Sequence, residues 1–126
     1  MNDKIKFEIE IPVHASPNFI LQYISTPDGL GEWFADNVNS RSEIFTFIWD
    51  DSEEQAEMLK TKDNNVVRYR WVENDDDSYF EFKIQVDGIT KDVSLIVTDF
   101  AEEDELEESK MFWENQIAQL KHVIGA

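Results

Sequence analysis

The sequence predicts an α+β fold in which one strand and two short helices are followed by a run of antiparallel strands and one long C-terminal helix. Three observations predict it. Apolar side chains alternate with charged ones at the start of the chain, a Ser/Thr-Pro helix start occurs twice in succession, and the final twenty or so residues repeat with helical spacing.

The first strand is read from Ile5, Phe7, Ile9, Ile11 and Val13, which share one parity while Lys4, Lys6, Glu8 and Glu10 share the other. That period of two marks a strand with one buried face. Ser16 then supplies an N-cap oxygen and Pro17 stands where a helix tolerates a missing N–H, so Phe19, Ile20, Tyr23 and Ile24 fall along a helical face. Thr26-Pro27 repeats the device and places Asp28 near the positive end of a second short helix whose other end carries Leu30, Trp33 and Phe34. Beyond Asp36 come strands separated by polar turns. Ile44 to Trp49 is aromatic and β-branched and ends at Asp50-Asp51-Ser52; Gln55 to Thr61 is read as a strand despite its helix-forming composition, because strong strands flank it. Val66 to Val72 puts Val67, Tyr69 and Trp71 opposite Arg68 and Arg70, and Phe80, Phe82, Ile84 and Val86 oppose Glu81, Lys83 and Gln85. Asp87-Gly88 turns the chain into Val93, Leu95 and Val97, and the short connections make the sheet antiparallel. From about Glu102 to Ile124 the stripe Leu106, Trp113, Ile117, Leu120 and Ile124, widened by Phe112 and Val123, predicts an amphipathic helix with acids in its N-terminal half and Gly125 as its stop.

At 126 residues the expectation is one domain, 1–126. A net charge of −17 argues against nucleic acid or an anionic membrane as partner, since both would repel this surface. With no cysteine there is neither a disulfide frame nor thiol chemistry, which suits a reducing compartment. The chain enters a strand pattern at once, without a signal-peptide start, and nowhere runs apolar for the ~18 residues of a membrane span, so a soluble cytoplasmic protein is expected.

Four segments carry a resemblance to a known family: the opening strand into Ala15-Ser16-Pro17, Ser25-Thr26-Pro27-Asp28-Gly29-Leu30 leading to Trp33-Phe34-Ala35-Asp36, the strand end Thr98-Asp99-Phe100, and Trp113 through Gln119-Leu120-Lys121. Together with the element order, they make the chain resemble the START-like (SRPBCC, helix-grip) superfamily, nearest to bacterial homologues of the activator of heat-shock-protein-90 ATPase. The resemblance implies a curved sheet gripping the final helix, with a cavity between them roofed by the two short helices. It implies no single activity, because a fold of this kind hosts carriers, receptors, cyclases and chaperone activators. The chain departs from the pattern twice. Asn37-Val38-Asn39-Ser40-Arg41 stands where a Gly-rich turn is common, and Thr61-Lys62-Asp63-Asn64-Asn65 lacks the proline usual between the middle strands.

Trp33, Phe34, Trp49, Tyr69, Trp71, Phe80, Phe82, Phe112 and Trp113 form the candidate ligand-binding set. Each alone reads as core filling; on the implied fold they outline an apolar pocket. No catalytic constellation accompanies them. His14 and His122 have no ligand neighbour at i+3 or i+4, so neither a metal nor another cofactor is expected. Ser16 and Ser25 lie at helix ends with no G-x-S-x-G elbow. The acidic runs at 50–54 and 73–77 lack the ligand spacing of a calcium loop and read as solvated turns, and Arg68 and Arg70 are expected to pair with neighbouring carboxylates. Two functions follow: a non-enzymatic domain holding a small hydrophobic molecule between sheet and final helix, or a protein-interaction module resembling the ATPase activators. Enzymatic activity rests on analogy with cyclases alone.

Overall fold

The computed structural model describes residues 4–125. Its elements are β1 (Lys4–Pro12), α1 (Pro17–Ser25), α2 (Pro27–Leu30), β2 (Asn37–Arg41), β3 (Ile44–Trp49), β4 (Ser52–Leu59), β5 (Val66–Trp71), β6 (Phe80–Val86), β7 (Val93–Glu102), a 3-10 turn at Glu103–Glu105 and α3 (Leu106–Ile124). The strands form one antiparallel sheet in the order β1-β7-β6-β5-β4-β3-β2, so the first strand pairs with the last, Lys4 opposite Glu102.

Both short helices start as their sequences dictate. The Ser16 side chain accepts from the Phe19 N–H at 3.3 Å, and the Thr26 hydroxyl accepts from the Gly29 N–H at 2.9 Å, each relieving a donor that has no partner within its own helix. Gly29 is required by crowding. A Cβ there would stand 2.0 Å from the Gln22 carbonyl oxygen and 2.6 Å from the Tyr23 Cα, so α2 lies against the end of α1 backbone to backbone.

The long helix α3 buries Trp113, Ile117 and Leu120 against the face of the sheet that carries Phe80 and Phe82. This is the helix-grip arrangement, with the apolar parity of the strands turned inward: Phe7 of β1, Phe45 and Phe47 of β3, Val67 and Tyr69 of β5, Leu95 and Val97 of β7 are all buried. The outer face is polar. There Arg68 meets its cross-strand neighbour Glu81 at 2.6 Å, with its guanidinium 4.1 Å from the centre of the Tyr79 ring.

The second helix α2 stops at Leu30, its cap at Gly31 leaving Trp33 and Phe34 in the turns beyond it, and three strand boundaries also differ from the sequence reading. Asn37–Arg41 is strand β2, held by pairing with β3 (Val38 opposite Phe47) although only Val38 of its five residues is buried. β4 begins at Ser52, its Glu and Gln residues drawn into the ladder by β3 and β5 on either side. β7 continues through Glu102 because β1 pairs with it to the end, so the acids at 103–105 sit in the 3-10 turn and α3 starts at Leu106. In all three places long-range pairing overrides local propensity. Arg70 also departs: its Nη2 donates to the Asp76 main-chain carbonyl at 2.9 Å and not to a carboxylate.

Candidate aromatic cleft

The aromatic residues divide into an inner cluster and an outer cleft. Inside the cup, Tyr69 stacks on Phe80 with ring centres 5.1 Å apart, Phe34 stacks on both Phe80 and Trp113 at 5.7 Å, and Phe82 meets Trp113 edge-on at 5.6 Å. Trp33 packs on Phe34 and Phe82, while Trp71, half-buried, closes on Phe47 and Phe80. Such offset and edge-on contacts are favourable beyond the area they bury. Their polar handles are matched as well. The Tyr69 hydroxyl donates to the Ile24 carbonyl at 2.7 Å and Trp33 Nε1 to the Tyr23 carbonyl at 2.8 Å. Among the described residues no buried side-chain nitrogen or oxygen lacks a partner. Burial pushes the Tyr69 phenol far above its ordinary pKa.

Trp113 Nε1 donates to Asp99 Oδ2 at 2.8 Å, and the other oxygen of that carboxylate accepts from the Phe100 N–H at 2.7 Å. Burial raises the Asp99 pKa, opposed by the Trp113 and Phe100 hydrogen bonds and by the charge of Lys4. Asp99 was legible as an anomaly: it occupies the parity of Leu95 and Val97, where a carboxylate needs a partner.

The outer cleft has a volume of about 560 Å³ and opens to solvent. Its walls are the 31–36 segment that follows α2, Trp49 at the end of β3, and Phe112, Gln116 and Gln119 on α3. One backbone atom ties these walls together: the Phe34 carbonyl accepts from Trp49 Nε1 at 3.2 Å and from Gln116 Nε2 at 3.1 Å. Trp33, Phe34, Trp49 and Phe112 of the nine candidate residues therefore line this cleft, whereas Tyr69, Trp71, Phe80, Phe82 and Trp113 do not. Phe112 is 47% exposed and touches the inner cluster only through its edge contact with Trp113. The glutamines had no signal in the sequence beyond their place one and two turns from Trp113.

Glu102, Asp104 and Glu105 form the one group of carboxylates among the described residues close enough to share an ion; it includes neither histidine and lies largely exposed at the β7–α3 junction. None of the described helices is long and apolar enough to cross a membrane.

Solved structures share this architecture. A Bacteroides fragilis protein determined by solution NMR is 32% identical, with a TM-score of 0.66 over 96% of this chain and 90% of that one. The Aha1 dimer from Colwellia psychrerythraea is 18% identical with a TM-score of 0.76, covering 93% of each chain. A crystal structure of a Mesorhizobium loti protein is 15% identical with a TM-score of 0.76, covering 96% of this chain and 97% of that one. The last two likenesses are of fold alone. No curated protein matches the chain. The START-like superfamily domain matches residues 1–126, and the chain belongs to that superfamily.

Proposed function

We propose that this domain binds a small, flat molecule that carries hydrogen-bonding groups beside an apolar ring, without transforming it, in the cleft between the 31–36 segment, Trp49 and α3. The observation that carries the reading is the cleft itself: about 560 Å³, with the rings of Trp49 and Phe112 on walls braced by the Phe34 carbonyl. That volume falls within the ~300–1,000 Å³ typical of small-molecule sites. Glu32 and Asp36 also line it, in a chain of net charge −17, so the ligand is neutral or cationic. Gln116 spends its Nε2 on Phe34 and offers Oε1 to a ligand donor. The rings of Trp49 and Phe112 make the contact, while Trp33 and Phe34, which line the cleft but are buried, and the remaining aromatics hold the shape of the cup.

Titration with the neutral probe N-phenyl-1-naphthylamine tests this. Saturable 1:1 fluorescence enhancement is expected, weakened about tenfold by Phe112→Ala, in line with the energetic weight of a single aromatic anchor in a binding site. Absence of saturable binding, or binding indifferent to both Phe112→Ala and Trp49→Ala, overturns it. A second reading is supported by Met111, 60% exposed beside Phe112, and by the likeness to the Aha1 dimer: the same helix face then serves as a protein contact, and the probe does not bind.

A further inference from the structure

We infer that the outer edge of β1 pairs antiparallel with β1 of a second copy of this chain, about a two-fold axis at Phe7. Among the described residues β1 ends the sheet, with β7 on one side and no strand on the other. The direction of its backbone groups follows from one bond: the Val13 N–H donates to the Val93 carbonyl at 2.9 Å, in register with the β1–β7 ladder. Odd-numbered residues of β1 thus turn their N–H and C=O groups toward β7. Lys4, Lys6, Glu8 and Glu10 turn theirs outward, four consecutive sites of an open ladder.

The charges on those four residues read Lys, Lys, Glu, Glu at alternate positions, a pattern complementary to its own reverse. Pairing two copies so that opposed residue numbers sum to fourteen puts Lys4 across from Glu10 and Lys6 across from Glu8, twice each, with every pair at a position whose backbone groups are free to bond. Shifting by one ladder step in either direction brings Lys6 against Lys6 or Glu8 against Glu8. Only the first register joins every charge to its opposite, and cross-strand charge pairs favour or oppose a register by direct contact. The apolar parity agrees. Ile5 is 39% exposed and Ile9 half-buried, and the same register sets Ile5 of one copy across from Ile9 of the other. Lys6 has no ion-pair partner within the chain among the described residues; the Lys4 ammonium reaches Asp76 at 3.0 Å and has donors left for Glu10 of the second copy, and Glu8, whose Oε2 accepts from the Thr98 hydroxyl at 3.5 Å, keeps its other oxygen for Lys6. The chain as a whole carries a net charge of −17, so two copies repel over much of their surface and this strip supplies attraction.

Sedimentation equilibrium at about 150 mM salt, where exposed charges beyond ~8 Å are screened, tests the pairing. A reversible dimer is expected. Lys6→Glu and Glu8→Lys, each reversing two pairs per dimer, should weaken it about tenfold or more. The double variant K6E/E8K re-creates both pairs in opposite sense and should return to within about threefold of the unmodified chain. Glu8→Pro removes an outward N–H that β7 does not use and should give a folded monomer by circular dichroism. A chain that stays monomeric up to about 1 mM, a double variant no tighter than the singles, or a dimer untouched by Glu8→Pro overturns the inference. The cleft lies on the β3 side of the sheet, and ligand binding there stands or falls separately.

Discussion

Trp113 and Phe112 are neighbours in sequence and opposites in setting: the first is 2% exposed and touches Phe34, Phe80 and Phe82, while the second is 47% exposed at the mouth of the cleft. One residue step turns a helix by about 100°, enough to move a ring from floor to rim. The floor of the cup is therefore stability, packed ring to ring and with every polar handle matched. Its mouth is surface, and ring type alone does not distinguish the two.

Trp113→Ala is the largest blow to the floor. Emptying a buried aromatic site costs about 3–5 kcal/mol, and here it also strips Asp99 of the indole N–H it accepts from. Urea unfolding should show the loss, and a cost under about 1 kcal/mol would mean that the floor is already hollow.

Tyr69→Phe keeps the ring and removes the bond to the Ile24 carbonyl. A buried acceptor left unsatisfied costs about 1–3 kcal/mol, so the melting temperature should fall while the aromatic circular dichroism of the core persists.

Asp99 sharpens the comparison through pH. Its pKa is raised in the fold, so the folded chain retains a proton over a range in which the unfolded chain has lost it. Stability from this group is full below the ordinary aspartate pKa of about 3.9 and is lost as pH rises through the folded value. Asp99→Asn cannot titrate. The stability of Asp99→Asn minus that of the unmodified chain should therefore climb as pH rises from about 4 to 7, and a flat difference would place the carboxylate in water. Asp76 acts in the opposite sense, its carboxyl held low by hydrogen bonds from Ser78 and Lys4, but it is common to both chains and cancels.

Phe112→Ala should have the smallest effect on folding, within about 0.5 kcal/mol for a surface substitution, even while it weakens the probe. A thermal melt showing a loss of several degrees would move Phe112 from the mouth to the floor.

The strands that alternate cleanly were legible because one face of each is buried: Val67 and Tyr69 against Arg68 and Arg70, Phe80 and Phe82 against Glu81 and Lys83. The helix starts were legible because Ser16-Pro17 and Thr26-Pro27 act through local chemistry. β2 was not, since Asn39, Ser40 and Arg41 bury nothing and are strand only because β3 lies alongside. The site was half legible. Aromatic content pointed to the cup, yet the split between floor and mouth depends on the helix turning Phe112 out, and the bracing of Phe34 by Trp49 and Gln116 joins residues 15 and 82 apart in sequence. No periodicity encodes such a meeting.

The pairing of β1 with β7 sets a delay during synthesis. Lys4 is made first and its ladder partner Glu102 nearly a hundred residues later, which at ~5–20 residues per second leaves β1 waiting roughly 5–20 s. During that interval Ile5, Phe7, Ile9 and Ile11 belong to a nascent strand with no sheet to join. Lys4, Lys6, Glu8 and Glu10, set between them, break up what would otherwise be a sticky run and act as gatekeepers until the rest of the chain arrives.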